Sequence, residues 1–162
     1  MGLISRLFGD KNEDPIWTTI KTSDNAYPKN SISILMLKTA SGGAGTGWVD
    51  KAYDKYAYKK YCPFNVLIKV DLTDSIAKNN PDLDMGSVEE YFLENLRSIC
   101  IAHIVARLVT DEGMNIEMYV EKGKQVAQLL QNIQVDKNRL VSFTTEINKD
   151  QEWAAVSGLM NL

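Results

Sequence analysis

The sequence predicts an α+β protein, a four-stranded antiparallel sheet with two helices on one face. Three observations carry this. Residues 65–148 read as strand, helix, strand, strand, helix, strand. Within them Met114, Ile116, Met118 and Val120 alternate with Asn115, Glu117 and Tyr119, the pattern of a strand with one buried and one wet face. Val88, Phe92, Leu96 and Ile99 recur at helical spacing, so one face of that helix must be covered.

Taken in order, Ile16–Lys21 and Ser31–Lys38 are apolar runs that predict two strands. The loop between them holds Asp24, Asn25, Pro28 and Asn30, and together they predict an N-terminal β-hairpin that extends the sheet or covers its edge. Asn65–Asp71 is the next strand, with Val66, Ile68 and Val70 on one face. Ser87 with Glu90 three residues on reads as a capping box. The helix it opens puts Val88, Phe92, Leu96, Ile99 and His103 inward, with Leu93 and Cys100 beside them. Ile104–Val109 and Met114–Val120 form a hairpin around Asp111, Glu112 and Gly113. A second helix starts near Lys122 and turns Val126, Leu129, Leu130 and Ile133 inward; Val141–Ile147 is the last strand. Asp150 caps a closing helix that packs Trp153, Val156, Leu159 and Met160. Over about 65–148 this is the ferredoxin-like βαββαβ order, with an N-terminal β-hairpin and a C-terminal helix added. Residues 1–14 read as a flexible leader and 15–162 as a single α+β domain.

The chain has 162 residues, enough for a self-sufficient core, and an ordinary 44% hydrophobic content. Its net charge of -3 disfavours nucleic acid as a partner, since such affinity comes largely from neutralised phosphates. No apolar run approaches the ~20 residues of a membrane helix, so no membrane partner is expected. Met1–Phe8 has the wrong layout for a secretory signal, which predicts a cytoplasmic protein whose Cys62 and Cys100 are reduced.

The segment Ser41–Trp48 carries four glycines in six residues. A phosphate loop needs Lys and a hydroxyl after its last Gly; here Trp48 and Val49 follow. Residues 41–47 are therefore expected to be a mobile loop that binds no nucleotide. Next comes the densest run of aromatics, Tyr53, Tyr56, Tyr58 and Tyr61, interleaved with Lys51, Lys55, Lys59 and Lys60. It reads either as a short amphipathic helix whose rings cover the sheet, or as a contact surface. The functional reading takes Tyr53, Tyr56, Tyr58, Lys55 and Lys59 as partner-binding residues.

The catalytic inventory is thin. His103 is the one histidine and sits on an apolar stripe, so it reads as structural. No serine stands in a nucleophile elbow and neither cysteine has an obvious His partner. The acidic run after Asn80 fails as a calcium loop, because Met85 occupies the glycine position and Tyr91 the bidentate Glu position. An RNA-recognition reading of the same strand order fails on the third strand, which offers only Tyr119 as an aromatic beside Asn115 and Glu117. No catalytic residue, metal or cofactor is expected.

The run Arg107–Gly113, then Met118–Val120, then Leu129–Leu130, then Asp150–Trp153 resembles domain-of-unknown-function family 695, a bacterial family. The resemblance covers roughly 65–158 and implies no established activity. More distantly the chain is similar to the bacterial protein inhibitors of ribonuclease E, small acidic proteins that also end in an acidic segment with a Trp. That likeness implies a regulator that binds a protein.

The expected function is a non-catalytic, cytoplasmic protein-interaction or regulatory module, its partner a protein of unknown identity, with a homodimer left open. The alternative is a small-molecule-binding protein or enzyme with a site between the sheet and residues 41–61.

Overall fold

A computed structural model describes residues 13–162. Residues 1–12, most of the expected leader, lie outside the described residues. The leader's last two residues belong to the fold. Asp14 caps a helix, and Glu13 pairs with Lys21.

That helix corrects the first sequence expectation. Residues 16–21 are not a strand; Pro15–Ile20 is helix α1. Asp14 accepts from the Ile16 N–H at 2.8 Å and Pro15 occupies the first turn, where its missing N–H costs nothing. Helix-start chemistry outweighed a short apolar run that fits either state. Strand β1, Ile32–Lys38, lies where a strand is expected. Its hairpin partner is not residues 16–21 but β2, Ala44–Asp50, which includes most of the glycine-rich stretch expected to be a mobile loop.

The glycines fit this strand for a physical reason. A Cβ on Gly47 would stand 2.4 Å from the Arg107 carbonyl oxygen, and one on Gly45 would stand 2.7 Å from that of Val109. Only bare backbone lets β2 approach its neighbour so closely. Gly42, at φ 87°, makes the turn.

The remaining elements follow the expected order. Strand β3 spans Phe64–Asp71 and the short helix α2 Ser75–Lys78. Helix α3 spans Met85–Arg97, β4 Ala102–Val109, β5 Gly113–Val120, α4 Gly123–Val135 and β6 Ser142–Lys149. A 3-10 turn at Ala154–Val156 leads into the one-turn helix α5, Ser157–Met160. The cap of α3 lies three residues before the expected one. Asp84 accepts from the Ser87 N–H at 2.9 Å, and the Ser87 hydroxyl donates to its other oxygen at 2.5 Å.

The fold is α+β, but its sheet is not the four-stranded sheet that the sequence predicts. It has six strands in the order β1-β2-β4-β5-β3-β6, all antiparallel. Helices α3 and α4 cover one face. Val66, Ile68, Val70, Met114, Ile116, Met118 and Val120 lie buried there against Val88, Phe92, Leu96, Val126 and Leu130. Among the described residues no helix is long and apolar enough to cross a membrane.

A bulge in β4 decides what lies on the second face. The pairing with β5 skips a residue between Ile104 and Ala106. Val105 and Ala106 therefore both pack on the side away from α3, and Arg107 returns to the α3 side, where it meets Glu89 at 2.9 Å. The second face is covered at one end by α1, residues 53–62 and the chain's last turns.

Candidate functional site

Two adjoining places concentrate chemistry: a buried aromatic cluster on the second face and an open cleft on the first. The cluster centres on His103. This residue is in β4, not on the helical stripe expected of it; Ile99 and Cys100 lie in the connection after α3. His103 is fully buried. Its Nδ1 lies 3.1 Å from the Tyr53 hydroxyl and its Nε2 lies 3.3 Å from that of Tyr56. The Tyr56 hydroxyl donates to the Ala26 carbonyl at 2.6 Å, so it must accept from an Nε2–H. That assignment leaves Nδ1 as acceptor for the Tyr53 O–H, and all three side chains are satisfied. Burial, with help from the Arg97 charge, pushes the His103 pKa down to about 3, so the imidazole is neutral at pH 7. Burial pushes both tyrosine hydroxyls well above their ordinary range. The cluster is buried but adjoins the open cleft, since Tyr53 and Tyr27 line that cleft as well as packing on His103.

Trp153 closes the cluster. It stacks on Tyr119 with centroids 4.1 Å apart and planes 9° off parallel. Its indole N–H is shared between the carbonyls of Cys62 at 3.0 Å and Lys59 at 3.2 Å. It is not on a helix but takes a left-handed conformation, φ 58°, just before the 3-10 turn. Asp150 fixes that turn, accepting from the Ala154 and Ala155 N–H groups at 2.9 Å and from the Tyr119 hydroxyl at 2.6 Å. Burial raises the Asp150 pKa, but these donors outweigh it and leave the carboxyl below its ordinary value.

The residues taken as a partner-binding surface are therefore divided. Tyr53 and Tyr56 are 4% and 8% exposed, core rings and not contact rings. Tyr58 is half-buried beside Trp17, and Lys59 is half-buried with its Nζ donating to the Asp54 carbonyl at 2.8 Å. Lys55 alone of the five is exposed. The aromatic density that singles out this run in the sequence measures core, because a single histidine gathers the rings from beneath. Segment 51–61 holds two 3-10 turns, Lys51–Tyr53 and Lys59–Tyr61, in place of an amphipathic helix.

Asp71, His103 and Tyr119 do not share a pocket. Tyr119 stands opposite Asn65 and His103, whereas Asp71 stands opposite Gly113 at the other end of β3. Cys62 is a buried thiol whose pKa burial raises far above the ordinary range. Among the described residues no three His, Cys, Asp or Glu side chains gather as a metal site would require.

The open cleft lies on the α3 side, where the sheet runs past its helices. Its volume is about 550 Å³, and its lining includes Ile32, Trp48, Asp50, Glu89, Leu93 and Arg97. Asp50 is held in place, one oxygen accepting from the Ser31 N–H at 2.8 Å and the Ala52 N–H at 3.0 Å. Arg97 donates to the Ala102 carbonyl at 3.1 Å and lies over the Tyr27 ring at 4.3 Å. Burial raises the Glu89 pKa, outweighing the Arg107 guanidinium beside it. Along the rim the even residues of β1 are bare: Ile32 is 47% exposed, Ile34 73% and Met36 80%. Sequence reasoning missed this surface. That 32–38 form a strand was legible; which of its faces lacked a helix was not.

The chain matches no protein family, no curated protein and no solved structure.

Proposed function

We propose that the protein is a non-catalytic interaction module that binds another polypeptide through the open face of β1, β2 and α3. One observation carries this: among the described residues Ile32, Ile34 and Met36 stand side by side on an uncovered sheet face, continuous with an aromatic-lined cleft. Scattered exposed apolar residues need no explanation, but a contiguous group bordering a groove marks a contact site. Trp48 and Leu93 give the groove apolar anchors, and Asp50, Glu89 and Arg97 give it polar groups to set register.

The likeness to domain family 695 and to the ribonuclease E inhibitors stays a proposal and assigns no site residue. The order β6-β3-β5-β4 supports reading residues 64–149 as a ferredoxin-like unit to which the β1–β2 hairpin adds two strands at the β4 edge. That addition is what outruns the two helices and leaves the face open.

A second reading, small-molecule binding, draws on the cleft's volume, which falls within the usual range of ligand pockets. A photo-crosslinking side chain at Ile34 separates the two. Irradiation in native lysate should join the chain to a defined polypeptide, and the same group at Thr144 on β6 should not. No adduct at 34, with a small molecule carried through purification in the cleft, overturns the first reading in favour of the second.

A further inference from the structure

Among the described residues β1 is an edge strand, and its unpaired backbone points one way. At its two ends the Lys51 N–H donates to the Ser31 carbonyl at 2.8 Å and the Thr39 N–H to the Gly43 carbonyl at 2.9 Å. Residues 31 and 39 thus turn their backbone groups toward β2. Because that direction alternates along an antiparallel pair, Ile32, Ile34, Met36 and Lys38 turn theirs outward. The opposite edge, β6, is treated differently. Gln134 of α4 donates to the Phe143 carbonyl at 3.1 Å, and Glu146 and Lys149 place charges along the strand. Strand β1 has no proline, no bulge and no charge before its last residue, Lys38. It lacks the usual protections against pairing.

We propose that two copies of the chain join edge to edge through β1, antiparallel about a two-fold axis at Leu35, to make one continuous sheet. The register follows from the pattern. Full overlap sets Ile32 opposite Lys38, Ser33 opposite Leu37, Ile34 opposite Met36 and Leu35 opposite itself. In this register every outward-turned residue meets an outward-turned residue, giving about eight hydrogen bonds between the copies. On the open face Ile34 of one copy lies beside Met36 of the other, an apolar pair.

Charge complementarity selects a second copy as the occupant. Ile32 is flanked on β2 by Asp50, so Lys38 of the second copy arrives about 10 Å from Asp50, two strand spacings away and within a lysine's reach. Asp50 is the carboxylate free to meet it, being in none of the ion pairs among the described residues, whereas Glu89 is already paired with Arg107. The two Lys38 side chains lie at opposite ends of the pair, so like charges never meet. Dimerisation would thus bring a cation from the partner copy to each cleft.

The inference concerns the backbone edge and goes beyond the function proposed above, which concerns the side-chain face. Sedimentation of the full chain should show the mass rising from 18.2 kDa toward twice that value between about 1 and 300 μM, as fits a small interface. Met36→Pro removes one outward N–H and none that pairs with β2, and should hold the chain monomeric with its circular dichroism unchanged. Disulfide trapping tests the register even if that variant misfolds. In a Cys100→Ser background, Leu35→Cys should cross-link on mild oxidation, because its Cα would lie about 4.5 Å from its own symmetry mate. Ser33→Cys should not, its mate lying about 13 Å along the strand. A chain monomeric throughout, or equal trapping at 33 and 35, overturns the proposal. A monomer that still captures a foreign polypeptide through position 34 overturns the dimer alone and leaves the proposed function standing.

Discussion

Acidification from pH 7 to pH 5 should destabilise this protein through His103, by an amount the structure sets. In the folded chain the imidazole is fully buried and its pKa is about 3; in the unfolded chain the ordinary value of about 6.5 applies. The folded pKa is depressed, so between those values the unfolded state binds the extra proton. Stability therefore falls as pH falls, by about 1.4 kcal/mol per unit below pH 6.5. Over the 1.5 units to pH 5 the loss is about 2 kcal/mol, a large part of a typical domain's stability. The hydroxyls facing His103 do not mask it, since burial raises Tyr53 and Tyr56 and keeps both neutral throughout. Glu89 and Glu117, both raised by burial, act in the opposite direction as pH falls. A reference variant removes them from the comparison. His103→Gln can still accept from Tyr53 and donate to Tyr56, but cannot titrate. Urea unfolding of both chains at pH 7 and pH 5 isolates the histidine: wild type should lose about 2 kcal/mol more than the variant. Equal losses would refute the buried, neutral imidazole and reopen His103 as a functional group.

Three further outcomes follow from particular contacts. Trp153→Ala should cost about 3–5 kcal/mol in chemical denaturation, because the ring fills the core between Tyr119 and Tyr53. Asp84→Ala should cost about 1 kcal/mol of stability and Ser87→Ala less, because Asp84 and not Ser87 caps α3; the reverse ranking would restore the expected start at Ser87. Gly47→Ala should cost about 1–3 kcal/mol in chemical denaturation, because its Cβ would press on the Arg107 carbonyl and part β2 from β4; a neutral substitution would mean that β2 is not seated there.

The elements that were legible in the sequence were those with a long, unambiguous period. Residues 114–120 alternate over a full strand, and Val88, Phe92 and Leu96 repeat over three turns; both faces are buried as expected. Residues 16–21 were misread because six residues do not separate the two periods, while the deciding signals, Asp14 as cap and Pro15 in the first turn, lie outside the run. For residues 41–47 glycine density suggests freedom, whereas 44–47 lie in β2. In the fold it serves close approach, which depends on where β4 lies and cannot be read locally. The tyrosines show the same limit. Composition marks Tyr53 and Tyr56 as unusual but not which way they face. One buried histidine, 47 residues beyond Tyr56, turns them inward. The open face came from a difference in counts, six strands against two long helices, and no local pattern in the sequence announces such a difference.

The tyrosines of 53–58 pack in the core, and Ile34 and Met36 form the proposed contact surface. Two variants measured side by side test this, each for melting temperature and for capture of the polypeptide cross-linked at position 34. Tyr53, Tyr56 and Tyr58 replaced together by Ser should unfold the protein or lower its melting temperature by tens of degrees, since buried rings and the partners of His103 are removed. Ile34→Glu with Met36→Glu should leave the melting temperature within a few degrees of wild type, as exposed substitutions do, while abolishing capture. A tyrosine variant that melts normally yet loses the partner, beside a double glutamate variant that keeps it, would contradict the account.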